Sequence, residues 1–247
     1  MHGLILRASG EAIFEAFYAS SPHAICASSY QKCSNHGALS GLQGARHNGA
    51  MDDLKEEIAA TAARMVVEEG LEYGAAKRRA VKQMGLSGRG DLPDNSTLEL
   101  AVEEYIAIFC ADTQPVELRA LRALALSWME RLERFRPHVG GSVWHGTATR
   151  KSDIYLQLFC EDPKSAEIGL IDLGVRFEPR SVTGFQGEPV DALSVHVLCR
   201  ELGEHIGLHL LIYDLDDLRG ALKPDARGRK PRGDTAALRR LLHDAQP

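Results

Sequence analysis

The sequence predicts an α+β protein in which an N-terminal helical bundle precedes a mixed β-sheet with flanking helices. Between residues 51 and 137, apolar residues recur at spacings of three and four, which is the period of an α-helix. After residue 137 the apolar runs become short and rich in branched residues, and Gly, Pro and acidic turns separate them, which is typical of strands. A helical half followed by a strand-rich half favours the α+β class.

Composition agrees with an ordinary globular protein. The chain has 247 residues, 44% of them hydrophobic and 26% charged, which is enough for one or two domains with a full core. Its formal net charge of −5 excludes nucleic-acid binding driven by overall charge, so any such contact has to be local. The sequence has no apolar run of the length that a membrane-spanning helix needs.

The cysteines predict a reducing compartment. They are five in number and scattered, with no Cys-x-x-Cys pair, and no secretory signal is recognisable. We therefore expect reduced thiols in a cytoplasm, without a structural disulfide or a zinc site. The five are Cys26, Cys33, Cys110, Cys160 and Cys199.

Composition divides the chain into four segments. Residues 1–50 are poor in branched apolar residues and show no sustained period, so we interpret them as a disordered extension. Residues 51–137 form the helical domain and residues 138–223 the α/β domain. Residues 224–247 are a basic linker followed by a short helix, Thr235–His243.

Two helices are predicted at the start of the helical domain. Asp52 or Asp53 caps the first helix and Gly70 ends it. The second helix runs from Gly74 to Met84, and its four basic residues either contact phosphates or form a solvated face. The apolar face of the first helix consists of Leu54, Ile58, Ala62, Met65 and Val66.

Two longer helices follow. Ser96 with Glu99 three residues later has the form of a capping box and opens a helix over Thr97–Cys110. We expect that helix to bury Leu100, Ile106 and Phe109. The next helix starts around Pro115, where a missing N–H costs nothing. Its apolar stripe consists of Leu118, Leu121, Ala125, Trp128, Leu132 and Phe135.

The strand-rich half contains five predicted strands and two helices. The helices cover Pro163–Leu173 and Leu215–Leu222. The strands are Ser142–Trp144, Asp153–Cys160, Val175–Phe177, Leu193–Leu198 and Leu208–Tyr213.

A motif at the start of this half has Gly141-Ser142, a further glycine at Gly146, and then Ser152-Asp153-Ile154 at the next predicted strand. It resembles the signature of the DNA polymerase β-type nucleotidyltransferase superfamily, especially the minimal nucleotidyltransferases. That signature is a Gly-Ser turn with a further glycine, followed by Ser-Asp-Ile-Asp-Leu on the next strand. The positions that agree without a gap are Gly141, Ser142, Gly146, Ala148, Ser152, Asp153, Ile154 and Leu156. The resemblance covers about residues 138–215 and implies a nucleotidyltransferase-like fold.

The resemblance also implies a site for Mg²⁺ and a nucleoside triphosphate. Gly141 and Ser142 would lie against the triphosphate, because a small turn brings backbone N–H groups close to it. Asp153 would hold the metal. The second carboxylate position of the family is occupied by Tyr155, whose neutral phenol is a poor Mg²⁺ ligand.

Three further residues have two interpretations each. The third family carboxylate lies on a later strand, and Asp191 is its candidate here, although Asp191 is equally suited to a turn. Arg150 and Lys151 precede Asp153, where they either neutralise a phosphate or are exposed turn residues.

Two functions remain open at this point. In the first, the protein transfers a nucleotide monophosphate from an NTP to a hydroxyl of a protein, an RNA or a small molecule, with Mg²⁺ at Asp153 and Asp191. In the second, the module keeps the fold for nucleotide sensing or protein association and has lost catalysis, which accounts for Tyr155. A P-loop enzyme is excluded, because the sequence has no Gly-x-x-x-x-Gly-Lys-Ser/Thr.

Overall fold

The computed structural model describes residues 46–86, 92–225 and 228–244. The chain from Gly44 to Pro247 groups into one compact unit. The first helix, α1, spans Arg46–Glu69. It therefore begins inside the segment that we expected to be an extension, and the rest of that expectation, for residues 1–45, lies outside the described residues.

Three helices form the first layer of the structure. Helix α1 is followed by α2 (Tyr73–Gln83) and α3 (Asn95–Phe109). Gly70 separates α1 from α2 as predicted, and its φ of +72° is a conformation that glycine adopts at little cost. The buried side chains shared by the three helices form the helical cluster: Ile58, Ala62, Met65, Ala76, Ala80, Leu98, Val102 and Ile106.

Helix α3 differs from the prediction in its cap and in its buried face. Asp94 is the N-cap, and its Oδ1 accepts a hydrogen bond from the backbone N–H of Thr97 at 2.6 Å. The predicted capping box at Ser96 is therefore wrong. Of the residues expected to be buried, Ile106 is, whereas Leu100 and Phe109 are 53% and 67% exposed.

Helix α4 (Gln114–Arg131) starts beside Pro115 and buries its predicted stripe, including Leu121, Ala125 and Trp128. These side chains pack with the buried residues of the sheet and not with the helical cluster. The helix that we grouped with the N-terminal bundle is thus a cover for the sheet. A short 3-10 helix, Glu133–Phe135, leads from α4 into the first strand.

A six-stranded mixed sheet forms the second layer, which confirms the predicted class. Its strand order is β3-β4-β5-β2-β1-β6. Strands β2 and β5 are parallel neighbours, and the other four pairs are antiparallel. The strands are β1 (His138–Gly140), β2 (Ile154–Cys160), β3 (Glu178–Thr183), β4 (Pro189–Cys199), β5 (Glu204–Asp214) and β6 (Arg232–Asp234).

Short helices complete the fold. They are α5 (Gly141–His145), α6 (Lys164–Asp172), α7 (Leu218–Ala221) and α8 (Thr235–Asp244), and a 3-10 helix, Leu215–Asp217, precedes α7. One face of the sheet buries aliphatic side chains from β2, β4 and β5 against α4, α6 and α8. The central members of this cluster are Leu121, Leu156, Leu158, Leu170, Leu193, Leu210 and Leu238.

Two predicted strands are wrong. Ser142–Trp144 lies in α5, because the chain leaves β1 and turns at once into a helical turn. Val175–Phe177 is irregular, and the strand that follows is the exposed edge strand β3, whose polar residues give no alternating signal. The three-residue strands β1 and β6 are too short to produce a pattern.

The described cysteines Cys110, Cys160 and Cys199 are free thiols. Cys26 and Cys33 lie outside the described residues. Across residues 46–86, 92–225 and 228–244, none of the helices combines the length and the apolar character that crossing a bilayer would take.

The buried face of α3 can be tested with two leucines on the same helix. Leu98 is fully buried and Leu100 is 53% exposed. Leu98→Ala should lower the free energy of unfolding by about 2–5 kcal/mol, because it leaves a cavity. Leu100→Ala should change it by less than about 1 kcal/mol. Urea unfolding followed by circular dichroism measures both, and equal losses would contradict the observed orientation of α3.

Candidate functional site

A cavity of about 560 Å³ lies between the helical cluster and the sheet. Gly141, Ser142, Ser152, Asp153 and Tyr155 line it from the sheet side. The helical side contributes residues from the α1–α2 connection and from the first turns of α3. The Gly-Ser turn and the Asp153 carboxylate of the sequence motif therefore face the same cavity.

The Gly-Ser turn is a compact one. Gly141 has a φ of +64°, which lets the chain reverse directly after β1, and Gly146 at +96° ends α5. The carbonyl oxygen of Ser142 accepts hydrogen bonds from the N–H groups of Gly146 at 2.9 Å and Thr147 at 3.0 Å. These bonds fix the backbone on which the Ser142 side chain is carried.

Helix α4 holds this turn from behind. Arg122 donates from Nε to the carbonyl oxygen of Val143 at 3.0 Å, and from Nη2 to the next carbonyl at 3.2 Å. Gln114, which is buried, donates from Nε2 to the carbonyl oxygens of Gly146 at 2.8 Å and Ala148 at 2.9 Å. Four carbonyls without a partner in regular secondary structure are thereby satisfied, and the turn is rigid on the side away from the cavity.

Asp153 is held at both oxygens by strand β5. Its Oδ1 accepts a hydrogen bond from the backbone N–H of Gly207 at 3.1 Å, and its Oδ2 lies 3.2 Å from Nε2 of His209. A Cβ atom at position 207 would lie 2.6 Å from Oδ1, so glycine is needed there. The Asp153 side chain is still 47% exposed, and its free surface faces the cavity.

His209 is fixed in turn by its neighbours. Its Nδ1 lies 2.9 Å from Oγ of Ser194 on β4, which is buried. Its ring packs on that of Tyr155, with centroids 4.9 Å apart. Because Tyr155 and Ser194 are its register partners on the two adjacent strands, all three side chains share one face of the sheet.

Tyr155 spans the cavity. Its hydroxyl donates a hydrogen bond to Oε1 of Glu72, in the connection between α1 and α2. Burial, and then the Glu72 carboxylate, raise the pKa of Tyr155 well above its usual value. The phenol is therefore neutral at physiological pH and is not an anionic metal ligand.

The opposite wall carries further charges. Arg229 pairs with Glu99 through Nη2 at 2.7 Å and with Asp225 through Nε at 3.1 Å. His145 lies beside them, and burial lowers its pKa, so that it is neutral. The carboxylates of Glu72, Glu99, Asp153 and Asp225 thus face the cavity with a single arginine among them.

Asp191 is not brought together with Asp153. It lines a separate cavity of about 380 Å³, together with Asp214 and Asp217. On β4, Ser194 faces the same side of the sheet as Asp153, and side chains alternate along a strand, so Asp191 at an odd spacing from Ser194 faces the other side. The predicted pairing of these two carboxylates does not occur.

The residue that does lie beside Asp153 is His209, which the sequence interpretation missed. Strand β5 and not β4 is the neighbour of β2, so β5 supplies the adjacent side chain. The available signal was a single polar residue within the apolar run Leu208–Tyr213. Only the strand order shows that this residue faces Asp153.

Arg150 and Lys151 point away from the cavity. Arg150 Nη2 lies 2.5 Å from Oε1 of Glu204, and Lys151 Nζ lies 3.8 Å from the same oxygen. Neither residue is among those that line the cavity. Their alternative interpretation as exposed turn residues describes their position in the structure.

The described side chains do not form a metal site from protein ligands alone. Nowhere in the described ranges do three His, Cys, Asp or Glu side chains approach closely enough to hold a metal ion together. Asp153 and Tyr155 line the cavity with a carboxylate and a neutral phenol, and the imidazole of His209 lies beside both on the same face of the sheet. A two-metal site would need more anionic oxygens than these residues provide.

No protein-family model matches the sequence, and no curated protein sequence does. Two solved structures overlap part of the fold. One is the Cid1 poly(U) polymerase with MgGTP bound, at 13% identity and a TM-score of 0.29, covering 38% of this chain and 32% of that one. The other is Cid1 in complex with the UTP analogue UMPNPP, at 16% identity and a TM-score of 0.30, covering 44% and 36%. This chain thus spans about a third of their length, and TM-scores this low do not establish a shared fold.

The packing around Asp153 can be tested at Gly207. Gly207→Ala should lower the free energy of unfolding by about 1–3 kcal/mol, since the new methyl group overlaps the Asp153 carboxylate. Gly220 in α7 has open space around it, and Gly220→Ala should be neutral or stabilising by up to about 1 kcal/mol. Chemical denaturation compares the two, and a neutral Gly207→Ala would place the carboxylate elsewhere.

Proposed function

We propose that this protein is a nucleotidyltransferase-like module that binds a nucleotide polyphosphate through one divalent cation at Asp153 and does not transfer the nucleotide efficiently. The observation that carries the proposal is the makeup of the three facing positions, where Asp153 is the sole acid. One carboxylate is enough to hold a Mg²⁺ ion whose remaining ligands are phosphate oxygens and water. Two-metal catalysis would require further carboxylates.

The polarity of the cavity supports a nucleotide that arrives with its cation. Free polyphosphate would face the carboxylates of Glu72, Glu99 and Asp153, and a bound cation offsets that repulsion. In this proposal the hydroxyl of Ser142, which lines the cavity, donates to a phosphate oxygen. The apolar side chains of Val66 and Leu71 line the same cavity and give a nucleobase a surface to pack on.

Binding can be tested with a matched pair of aspartates. Calorimetric titration with ATP, GTP, UTP and CTP in Mg²⁺ should show binding of at least one nucleotide. Asp153→Ala should weaken it by about tenfold or more, because it removes the cation's only protein carboxylate. Asp191→Ala removes the same side chain from the other face of the sheet and should leave the affinity unchanged.

Transfer is measured with the same proteins. Incubation with α-labelled nucleotide should leave no label on the protein or on added RNA above the level of Asp153→Ala. Binding that requires Asp191, or that persists in full in Asp153→Ala, would contradict the assigned site. Nucleotide-dependent labelling abolished by Asp153→Ala would show that the module is an active transferase.

A transferase remains the second candidate because Glu72 reaches the cavity. Its carboxylate accepts the Tyr155 hydroxyl from the helical side. In this alternative, Glu72 would supply the negative charge that Tyr155 lacks, and the acceptor would be a hydroxyl of a protein, an RNA or a small molecule. Glu72→Gln separates the two candidates. In a transferase it would reduce labelling by α-labelled nucleotide, whereas a binding module shows no labelling with or without the substitution.

Carboxylates can be introduced beside Asp153, at positions 155 and 209. Tyr155→Asp alone should raise Mg²⁺ affinity by no more than about threefold, because His209 still occupies the position beside Asp153. The double variant Tyr155→Asp/His209→Asp places three carboxylates on one face and should raise the affinity by about tenfold or more. Magnesium titration by calorimetry measures both, with unfolding curves recorded to correct for the lost Tyr155 contacts.

The control adds a carboxylate to the same strand at another position. His205→Asp lies on β5 at an exposed position and adds one of the two negative charges that the double variant adds. It should leave Mg²⁺ affinity unchanged. An equal gain in His205→Asp and in the double variant would reduce the effect to overall charge and contradict the geometry.

A further inference from the structure

We propose that the buried guanidinium of Arg232 binds a small inorganic anion, such as chloride, with the side-chain amide of Gln157 beside it. Neither residue is among those that line the cavity at Asp153, so this site is separate from the one described above. The proposal therefore does not depend on the proposed function, and the two can fail independently.

Arg232 is a buried cation without a partner. It begins strand β6 and is only 8% exposed. Its Nε and Nη1 atoms are buried and have no hydrogen-bond partner among the described residues. Burial lowers the pKa of Arg232, but a guanidinium keeps its charge at physiological pH. A buried charge without a hydrogen-bonded partner is strongly unfavourable, so Arg232 calls for a group of opposite charge.

The ionisable neighbours of Arg232 do not supply that charge. Burial raises the pKa of Tyr213 above its usual value and lowers the pKa of His138, so both side chains are neutral at physiological pH. Asp234 lies two residues further along β6, but its Oδ1 accepts a hydrogen bond from the backbone N–H of Ala237 at 2.7 Å, at the start of α8. The opposite charge therefore has to come from outside the described residues.

Phe185 fixes the direction from which a partner can approach. Cζ of Arg232 lies 4.7 Å from the centroid of the Phe185 ring, and this ring packs on that of Tyr213 with centroids 4.8 Å apart. One face of the guanidinium is thus covered by an aromatic ring. The N–H groups point outward in the plane of the guanidinium, so an anion would bind at its edge, at Nε–H and Nη1–H.

The amide of Gln157 lies next to this edge strand because of Gly140. Tyr155 on β2 and Arg232 on β6 are the two register partners of Gly140, and a Cβ atom at position 140 would lie 3.2 Å from Nε2 of Gln157. The amide therefore lies over the glycine, on the face of the sheet that carries Arg232. Its Oε1 is also buried without a partner. A half-turn of the amide exchanges Oε1 for an NH₂ group, which can donate to an anion.

A buried water molecule is the competing explanation. Water can accept from Arg232 and donate to Oε1 of Gln157 without a turn of the amide. Water leaves the charge of Arg232 in place, whereas an anion offsets it, so only the anion links folding to the salt in solution. Chloride that binds the folded chain alone, at about ten times its dissociation constant, raises the folding equilibrium constant about tenfold.

The test is urea unfolding of the full chain in sodium chloride and in sodium gluconate at equal ionic strength, because gluconate is too bulky for a buried edge. The folding equilibrium constant of the wild type should rise saturably with chloride, to about tenfold or more above its value in gluconate. Arg232→Met removes the charge and retains an unbranched side chain, and it should respond equally to both salts. The control Arg239→Met removes an exposed arginine that pairs with Glu130, and it should respond as the wild type does.

Equal responses of the wild type and Arg232→Met to the two salts would overturn the proposal and leave a water molecule at Arg232. Should the methionine variant fail to fold, crystals of the wild-type chain grown in sodium bromide give a second measurement, since bromide has the charge of chloride and a strong anomalous signal. A bromide peak beside Nε or Nη1 of Arg232 is expected. A bromide-saturated crystal without that peak would also overturn the proposal.

Discussion

The parallel pairing of β2 with β5 is the constraint on which the site depends. It aligns Tyr155 with His209 and brings Gly207 against Asp153, so that one short stretch of β5 holds the carboxylate at both oxygens. A parallel neighbour requires a connection that leaves the sheet and returns, and α6 with the β3–β4 hairpin provides it. The same pairing buries Leu156 and Leu210 on the other face, so the core and the site are secured by one set of strand contacts.

Hydrogen bonds hold the framework of the cavity, and two aromatic rings lie beside its Asp153 carboxylate. The Gly-Ser turn, its support by Arg122 and Gln114, and the placement of Asp153 are all built with satisfied hydrogen bonds. The side chains at the two positions facing Asp153 are aromatic rings that pack on each other. This face of the sheet therefore presents the Asp153 carboxylate with a neutral phenol and an imidazole beside it.

The sequence was informative where a residue's role is local. Regular spacing predicts α4 and its buried stripe, and the motif predicts that Ser142 and Asp153 face one site, as they do in the cavity. The sequence does not predict a residue's role where that role depends on the order of the strands in the sheet. Asp191 precedes an apolar strand, as the third family carboxylate would, but β5 separates β4 from β2 and the alternation of side chains along β4 turns Asp191 to the other face of the sheet. The local signal for His209 is one polar residue in an apolar run, which does not show that it faces Asp153, and short or exposed elements such as β1 and β3 have no pattern to detect.

The turn that joins β4 to β5 is tied to the core through the strand that follows it. Residues 200–203 close this hairpin, with Gly203 at a φ of +67°. A one-residue shift of β5 against its two neighbours would turn His209 toward the buried face and bring a leucine beside Asp153. The same shift would take Leu208 and Leu210 out of the core, so a change in the length of this loop is expected to be absorbed within the loop and to leave the contact between Asp153 and His209 in place.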